Sequence, residues 1–387
     1  MTLRTCIVTS DFYVQGETFI NRHIQQLFGG AVGVICGRHL CNSPFSDLPV
    51  IERRPRSLSP LERAQDLILG VPSFLSHRSV RMPGPRMRAI IREFIVESKC
   101  DFMLAEYGTQ AIPVVELAKE LNIPLFGYLR GFDASSALRS VPTLLEYRHN
   151  IPTLAGLFSV SRFLLENLER HKIKLPPETH VIPSGVDTQA FTSDVKVEHS
   201  YLAVGRLVAK KDPLTTIRAF LEATQTTPEA RLTVVGDGPL MNDCKDLLLR
   251  KDVEGKVNML GAASHQCVRE LLKKTAVFLQ HSITDSHGNT EGLPTAIQEA
   301  MAAGCAIVTT RHAGIPEAIM HERNGLLVEE GDFWGYVKSI EKMQDSTIRH
   351  ALMLQARADA TERFDNHIGL KVLEGHIKRI VGGVRTK

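Results

Sequence analysis

The chain has 387 residues, which is long enough for two domains, and its hydrophobic content of 43% is ordinary for a globular protein. No apolar run approaches the ~18 residues of a membrane-spanning helix. The N-terminus becomes polar after Ser10, which does not fit a secretory signal peptide. The seven cysteines are scattered and form no Cys-x-x-Cys pair, as is typical of core thiols in a reducing compartment. We therefore expect a cytoplasmic protein of two domains.

The formal net charge is only +3, but the positive charge is concentrated in one segment. Between Arg53 and Arg92 there are nine arginines and no lysine, against Glu62 and Asp66, which gives about +7. Such a segment attracts phosphate or an anionic membrane surface, and the apolar run 67–75 within it could contact lipid. Peripheral contact at the inner face of a membrane is one hypothesis, and a solvated arginine-rich face is the other. Nucleic acid is disfavoured because no nucleic-acid motif accompanies the arginines.

Short apolar runs alternate with helical patterns along the whole chain. The first half contains six strand candidates, at residues 4–10, 31–37, 101–108, 124–131, 154–161 and 179–185. The second half contains six more, at residues 200–206, 230–238, 256–261, 276–282, 306–311 and 325–330. These runs are almost continuously hydrophobic, as in parallel strands that are covered on both faces. The alternation predicts an α/β protein with two doubly wound, Rossmann-like domains and parallel sheets.

A turn-rich, polar stretch at 183–197 separates the two series of strands. We expect an N-terminal domain at 1–185, a C-terminal domain at 186–365, and a C-terminal helix at 366–387 that can cross back to the first domain. In sheets of this kind, ligands bind beyond the carboxyl ends of the strands. With two such domains, the cleft between them is the expected site.

Two glutamates, Glu291 and Glu299, bracket the sequence EGLPTAIQE. Pro294 suits the first turn of a helix and Gly304 suits its end, so Glu291 is expected beside a helix N-terminus. Such a terminus favours anions. One carboxylate can contact a sugar-like ligand and the other can reach a second polyol, such as a ribose. The alternative is a solvated helix with two ordinary surface glutamates.

Further clusters follow two other strands of the second half. Gly205-Arg206 ends the strand at 200–206, and Lys211 lies five residues later, ahead of a predicted helix. An arginine and a lysine at a strand end suit a diphosphate. The sequence VVGDGP at 234–239 forms a glycine-rich turn, but Met241 stands where a dinucleotide fingerprint has its third glycine. Simple turn chemistry explains that segment equally well.

The long loop 281–294 leads into the helix that carries Glu299. Gly288 and Asn289 free its backbone to approach a ligand. Three potential metal ligands also lie on this loop: His281, Asp285 and His287. A metal site is disfavoured, because three candidates on one flexible loop lack a supporting pattern of hydrogen-bonding partners.

Together these clusters resemble the C-terminal domain of the GT-B-fold glycosyltransferases, specifically the retaining enzymes of family 4. The motifs of that family are G-R-x4-K, G-x-G-P, E-x7-E and P-x-G-V-D, and they match residues 205–211, 236–239, 291–299 and 183–187 in order and spacing. The loop DSHGNTEGLP looks most like members that build bacterial exopolysaccharides and capsules. The resemblance implies two Rossmann-like domains that face each other across a cleft. It also implies transfer from a nucleotide-diphosphate sugar to a polysaccharide or lipid-linked saccharide.

The resemblance also assigns roles to residues. Arg206 and Lys211 would stabilise the leaving diphosphate, Glu291 would hold hydroxyls of the donor sugar, and Glu299 would bind the ribose. Further donor contacts are implied at Gly16, Gly236, Gly238, Gly288, Asn289, Gly292 and Leu293. The family needs no metal for catalysis, and the nucleotide sugar is a substrate, so no cofactor is expected.

One departure from the family pattern concerns Arg130, which stands in RGFD where the family usually has a histidine beside the donor sugar. Arginine stays protonated and cannot act as a general base. It can contact a sugar hydroxyl, carboxylate or phosphate as a catalytic-site residue, or it can form a structural ion pair with Asp133. Two other functions remain as alternatives: a catalytically inactive subunit that binds nucleotide sugar, and a sugar-nucleotide epimerase.

Overall fold

The computed structural model describes residues 2–14, 16–39, 44–45, 47–53, 81–191, 195–251 and 255–385, together with scattered residues between 59 and 79. The chain forms two compact units, one of Met1–Ile182 with Leu370–Lys387 and the other of Pro183–Gly369. Gln15 and much of the arginine-rich segment 53–92 lie outside the described residues.

The first unit is built on a parallel sheet. Its strands are β1 (Thr5–Phe12), β2 (Ala31–His39), β3 (Val50–Glu52), β4 (Phe102–Glu106), β5 (Leu125–Leu129), β6 (Gly156–Ser159) and β7 (Thr179–Val181). The order β3-β2-β1-β4-β5-β6-β7 reverses direction between β1 and β4, as in doubly wound folds. Strand β3 was not predicted, because its two apolar residues, Val50 and Ile51, are followed at once by Glu52 and Arg53 and form no longer apolar run.

Helices connect the strands of the first unit. They are α1 (Thr18–Gln26), α2 (Pro85–Ser98), α3 (Gly108–Ala111), α4 (Val115–Glu120), α5 (Val141–Asn150) and α6 (Arg162–Arg170). The sequence determines α2 directly. Proline occupies its first position, where the missing N–H has no helical partner to lose. Met87, Ile91 and Ile95 recur every four residues and form its buried stripe.

The second unit repeats this plan with a second parallel sheet. Its strands are β8 (Val197–Val204), β9 (Arg231–Val235), β10 (Val257–Gly261), β11 (Thr275–Gln280), β12 (Ala306–Thr310) and β13 (Leu326–Val328), in the order β10-β9-β8-β11-β12-β13. Its helices are α7 (Pro213–Ala223), α8 (Met241–Lys251), α9 (His265–Lys274), α10 (Thr295–Ala302), α11 (Phe333–Lys342) and α12 (Ser346–Arg363). The predicted architecture of two doubly wound parallel sheets is confirmed.

The last helix, α13 (Asn366–Arg385), starts in the second unit and packs on the first. Leu373, Ile377 and Val381 are buried there. The Glu374 carboxylate accepts the backbone N–H of Phe28 at 2.6 Å. Arg379 donates two hydrogen bonds to Glu178, at 2.9 and 2.6 Å, which is the bidentate geometry that gives the strongest ion pairs. Most of α13 therefore belongs to the unit built on the first sheet.

Among the residues that the structure describes, no helix is both long enough and apolar enough to cross a membrane.

Candidate functional site

The glycine motifs of the second unit lie where β8 and β9 end side by side. A Cβ atom on Gly236 would lie 1.9 Å from the carbonyl oxygen of Gly205, and one on Gly238 would lie 2.5 Å from that of Leu207. Backbone hydrogen bonds join the two turns, from Gly205 to Val235 and from Leu207 to Asp237, each at 2.9 Å. Close packing of two backbones therefore explains these glycines, and the donor contacts expected at Gly236 and Gly238 stay a prediction.

The absence of a side chain at Gly205 also lets the Lys211 side chain lie against the end of β8. Its φ of +151° is rarely adopted by other residues, and a Cβ there would meet Cε of Lys211 at 3.2 Å. The aliphatic part of Lys211 thus folds back over the end of β8. Arg206 is exposed next to it. Gly205, Arg206 and Lys211 line a small cavity of about 30 Å³ at the carboxyl ends of the strands.

The Glu291 carboxylate lies against both lysines that follow β8. Lys211 Nζ is 3.2 Å from Glu291 Oε1, and Lys210 Nζ is 3.7 Å from Oε2. The Glu291 side chain is only 9% exposed. Lys210 also donates to the carbonyl of Thr290 at 3.1 Å. The structure therefore brings the predicted Lys211 and Glu291 together, 80 residues apart in sequence, and adds Lys210, which the sequence had not singled out.

Burial and charge oppose each other at this cluster. Burial favours the neutral form of Glu291, but the positive charges of Lys211 and Lys210 outweigh it and hold the pKa of the carboxyl below its ordinary value. Burial lowers the pKa of Lys211, and Glu291 opposes that effect. The cluster is thus an ionised carboxylate held by two lysines, with Arg206 exposed beside them.

The loop before Glu291 makes a tight turn of its own. The Asp285 carboxylate accepts the backbone N–H groups of His287 and Asn289, both at 2.9 Å. Gly288 has a φ of +69°, in the left-handed region that glycine adopts without strain. Gly288 and Asn289 are therefore part of a hydrogen-bonded turn. Their contact with a donor stays a prediction.

Two residues that the sequence analysis missed, His312 and Glu330, lie beside this loop. His312 Nε2 accepts the backbone N–H of Glu291 at 3.0 Å, and its Nδ1 lies 2.5 Å from Glu330. Each residue lies two positions beyond the end of a buried strand, His312 after β12 and Glu330 after β13. A search for polar residues after every strand, rather than for family motifs alone, would have found them.

Glu299 lies in α10, which begins at Thr295, one residue after Pro294. Its carboxylate is 3.0 Å from His265 Nε2 and its side chain is 9% exposed. Gly292 and Leu293, between the two glutamates, are buried. The expected roles of these residues toward a sugar and a ribose stay predictions.

Among the described residues, no group of three or more His, Cys, Asp or Glu side chains is placed to hold a metal ion. His281 instead lies against Asp212, with 2.9 Å between Nδ1 and Oδ2.

In the first unit, Arg130 is buried in an internal ion pair. Its Nε and Nη2 atoms donate to Glu106 Oε2 at 3.0 and 2.6 Å, and Glu106 also lies 2.5 Å from His23. The guanidinium carbon is 3.7 Å from the ring centroid of Tyr128. The arginine side chain is 3% exposed and the Glu106 side chain is fully buried.

The structural ion pair weighed for Arg130 therefore has a different partner from the one expected. Asp133 accepts backbone N–H groups from Arg130 at 3.0 Å, Gly131 at 2.9 Å and Gly108 at 2.7 Å. The partner of the guanidinium is Glu106, which ends the neighbouring strand β4. This pairing was invisible in the sequence because Glu106 and Arg130 are 24 residues apart. A contact of Arg130 with substrate stays a prediction.

Gly16 lies two residues ahead of α1, which begins at Thr18. A side chain at Gly16 would meet no atom within 4 Å, so packing within the unit does not require glycine there. Its expected contact with a donor diphosphate also stays a prediction.

A larger cavity, of about 690 Å³, opens in the first unit at the carboxyl ends of β1 and β2 and beside α3. It lies where the strand order of that sheet reverses, the usual ligand position in doubly wound folds. Its walls are rich in polar and charged side chains, including Asp11, Arg38, Arg53, Arg81, Gln110 and Ser140.

Comparison with known proteins finds similarity to glycosyltransferases, strongest in the second unit. Residues 191–359 match the family described as Glycosyl transferases group 1. The chain is 31% identical over 180 residues to the amylovoran biosynthesis glycosyltransferase AmsK of Erwinia amylovora, across 46% of this chain and 44% of that protein. It is 29% identical over 259 residues to the putative colanic acid biosynthesis glycosyltransferase WcaL of Escherichia coli K12, across 64% and 62%.

A further relative is the UDP-Gal:alpha-D-GlcNAc-diphosphoundecaprenol alpha-1,3-galactosyltransferase of Escherichia coli, 26% identical over 49% of this chain and 51% of that one. The chain thus matches less than two thirds of the length of these relatives. Three of the quoted motifs, at 205–211, 236–239 and 291–299, lie within the residues that match the Glycosyl transferases group 1 family.

Solved structures agree over nearly the whole chain. Anabaena Alr3699/HepE in complex with UDP and glucose has a TM-score of 0.76 at 16% identity, covering 97% of this chain and 100% of that one. A glycosyltransferase from Rickettsia africae has a TM-score of 0.73 at 16% identity, covering 98% and 99%. At this identity the likeness concerns the fold alone, and it confirms the GT-B fold.

If Lys211 stabilises a leaving diphosphate, Lys211→Ala should lower kcat by about 100- to 1,000-fold while changing the affinity for free nucleotide sugar far less, because the charge matters most in the transition state. Steady-state kinetics and calorimetric binding measure the two effects. The matched control is Lys338→Ala on the exposed face of α11, which should leave both unchanged. A near-normal kcat in a folded Lys211→Ala protein would contradict this role.

Arg130→His should destabilise the protein. Histidine is too short to replace both hydrogen bonds to Glu106, and loss of one partner from a buried ion pair costs about 3–5 kcal/mol. Urea unfolding measures the loss, and Arg162→His at the exposed start of α6 is the control. An unchanged unfolding free energy together with an altered preference between acidic and neutral sugars would instead assign Arg130 to substrate recognition.

Proposed function

We propose that this protein is a retaining glycosyltransferase that moves a sugar from a nucleotide-diphosphate sugar to a saccharide acceptor. The observation that carries the proposal is the buried Glu291 carboxylate, held by Lys211 and Lys210 at the carboxyl end of β8. The match to the Glycosyl transferases group 1 family supports it, as do the relatives named for amylovoran and colanic acid biosynthesis and the UDP and glucose bound by the Anabaena neighbour.

Each charged residue of the site has a role in the proposed sugar transfer. Arg206 and Lys211 neutralise the diphosphate as it leaves, since fixed cations stabilise developing negative charge without rearranging. Glu291 accepts hydrogen bonds from hydroxyls of the donor sugar, and Glu299 accepts those of the ribose. The acceptor hydroxyl attacks the anomeric carbon on the face from which the phosphate departs, and the departing phosphate oxygen takes the hydroxyl proton. No side chain is needed as a base, so arginine at position 130 is compatible with activity.

For the acceptor we propose a growing, lipid-linked saccharide of the exopolysaccharide type. The galactosyltransferase relative is named for a diphosphoundecaprenol substrate, which supports a lipid-linked acceptor. The cavity of about 690 Å³ in the first unit supplies both carboxylates and guanidinium groups, which hydrogen-bond sugar hydroxyls. We therefore propose that the saccharide binds in this cavity.

The test is incubation with a panel of UDP-, GDP- and ADP-sugars and saccharide acceptors. We expect transfer from at least one donor, with the anomeric configuration of that donor retained in the product by NMR. Ser140→Trp at the exposed rim of the cavity should raise the acceptor KM and leave slow donor hydrolysis unchanged, whereas Ser346→Trp at the exposed start of α12 should change neither.

Other outcomes of this panel would overturn the proposal. Isomerisation of the donor sugar would indicate the epimerase. Binding of a donor without turnover would indicate the inactive subunit. Transfer with an inverted product would retain the enzyme class and reject the retaining mechanism.

We also propose that a cytoplasmic location is combined with peripheral contact to an anionic membrane. Ile68, Val71 and Leu75, within the arginine-rich segment, are all exposed. Part of the segment's charge is compensated from outside it, because Arg88 and Arg92 pair with Glu120, both at 2.8 Å. The remaining positive charge and the apolar side chains together support contact with lipid.

Flotation with liposomes tests this contact. Anionic liposomes should carry the protein at low salt and release it at high salt, because salt screens the attraction. The double change Ile68→Ser and Leu75→Ser should weaken flotation without altering the net charge, and Leu354→Ser, exposed on α12, is the control. Equal flotation with neutral liposomes would contradict the electrostatic part of the proposal.

A further inference from the structure

One buried histidine and its glutamate tie together both ends of the loop 284–291. The Glu330 carboxylate accepts the backbone N–H of Thr284 at 2.8 Å, at the start of the loop. The same carboxylate lies 2.5 Å from Nδ1 of His312. At the far end of the loop, His312 Nε2 accepts the backbone N–H of Glu291 at 3.0 Å. The His312 side chain is fully buried.

These contacts define the protonation of the imidazole ring. A backbone N–H can only donate, so the Nε2 atom that faces Glu291 must present a lone pair. The ring proton therefore resides on Nδ1, where it is donated to Glu330. A carboxylate partner commonly selects the tautomer of a histidine in this way. Neutral His312 thus links the Glu330 carboxylate to the backbone of Glu291 through one hydrogen bond at each ring nitrogen.

We propose that His312 and Glu330 are positioning residues that hold Glu291 in place for catalysis. The two lysines hold the carboxylate of Glu291 from one side, and His312 holds its backbone from the other. Without the contact to His312, the lysines would still hold the Glu291 carboxylate. The main chain that carries the side chain could then shift. Displacement of a substrate-positioning group by about 1 Å can reduce turnover by about 100-fold. The catalytic consequence rests on the proposed function, whereas the restraint on the loop does not.

Three substitutions at position 312 separate the two contacts. His312→Asn keeps a donor near the place of Nδ1, toward Glu330, but does not reach Glu291. His312→Gln places an amide oxygen near the position of Nε2, where it can accept the Glu291 N–H, but loses the donor to Glu330. His312→Ala removes both. If the contact with Glu291 carries the effect, the glutamine variant should retain more activity than the asparagine and alanine variants.

A matched control is available in His321. Its Nδ1 accepts the backbone N–H of Leu327 at 3.0 Å, so it is also a histidine that accepts a main-chain hydrogen bond. His321 is exposed and lies on a turn outside the loop 284–291. His321→Ala should therefore alter exchange at Leu327 and leave turnover unchanged.

Hydrogen exchange tests the restraint without reference to any substrate. In His312→Ala the amide of Glu291 should exchange about tenfold faster than in the unaltered protein, because its buried hydrogen bond to His312 is lost. The amide of Thr284 should also exchange faster, because Glu330 loses the partner that fixes its position. Amides of the central strand β8 should keep their protection. Unchanged exchange at both loop amides, or a uniform increase throughout the second unit, would overturn the proposal.

Kinetics test the consequence for catalysis. We expect kcat to fall about 10- to 100-fold in His312→Ala and His312→Asn, with the donor KM changed by less than about threefold. His312→Gln should recover part of kcat. A fall in activity that only follows the folded fraction, or equal loss in all three variants, would reject the positioning role. If the unaltered protein transfers no sugar, the proposed function fails, while the exchange experiment still decides whether the loop is held.

Discussion

The compensation of one buried carboxylate organises the second unit. An isolated ionised carboxylate is expensive to remove from water, and it persists only where opposite charges and hydrogen bonds replace its hydration. Glu291 meets this condition through Lys211 and Lys210, which follow β8, while Glu291 itself follows the loop after β11. The turns at the ends of two adjacent strands must therefore keep one relative position. Gly205 makes that position accessible by letting the stem of Lys211 fold across the end of β8.

Contacts on several sides hold the segment that carries Glu291. Backbone hydrogen bonds join the turn after β8 to the turn after β9, and glycines there allow main chains to approach more closely than any Cβ would permit. His312 and Glu330 hold the loop that enters Glu291 from the ends of β12 and β13. Groups that follow three strands, β8, β12 and β13, thus contact the one segment that follows β11. Such preorganisation suits stabilisation of charge that develops during a reaction, because little has to move when it appears.

Much of this arrangement could be predicted because short stretches of the sequence specify it. Continuous apolar runs predicted the parallel strands, and the spacings of 205–211 and 291–299 predicted which strand ends carry charge. Strand β3 was not predicted because charged residues follow Val50 and Ile51 at once, which leaves no apolar run to recognise. His312 and Glu330 escaped because their partners lie 21 and 46 residues away at Glu291 and Thr284, and no short motif records such pairings.

Arg130, in the first unit, shows the same limit of prediction from local sequence. Its sequence context indicated a departure from a family pattern, but only the fold reveals that its guanidinium pairs with Glu106 and stacks on Tyr128. A residue can therefore stand at a strand end and still serve the interior of its own domain. The physical distinction lies in burial and in partners, which local sequence does not specify.

We propose that the charged strand ends of the second unit bind a nucleoside diphosphate through its phosphates. Hydrogen exchange with and without UDP, GDP and ADP, each compared with its nucleoside, tests it directly. At least one diphosphate should protect the segments 205–211 and 288–299, and its nucleoside should protect them far less. Protection confined to the first unit, or equal protection by nucleoside and diphosphate, would contradict binding through the phosphates at these strand ends.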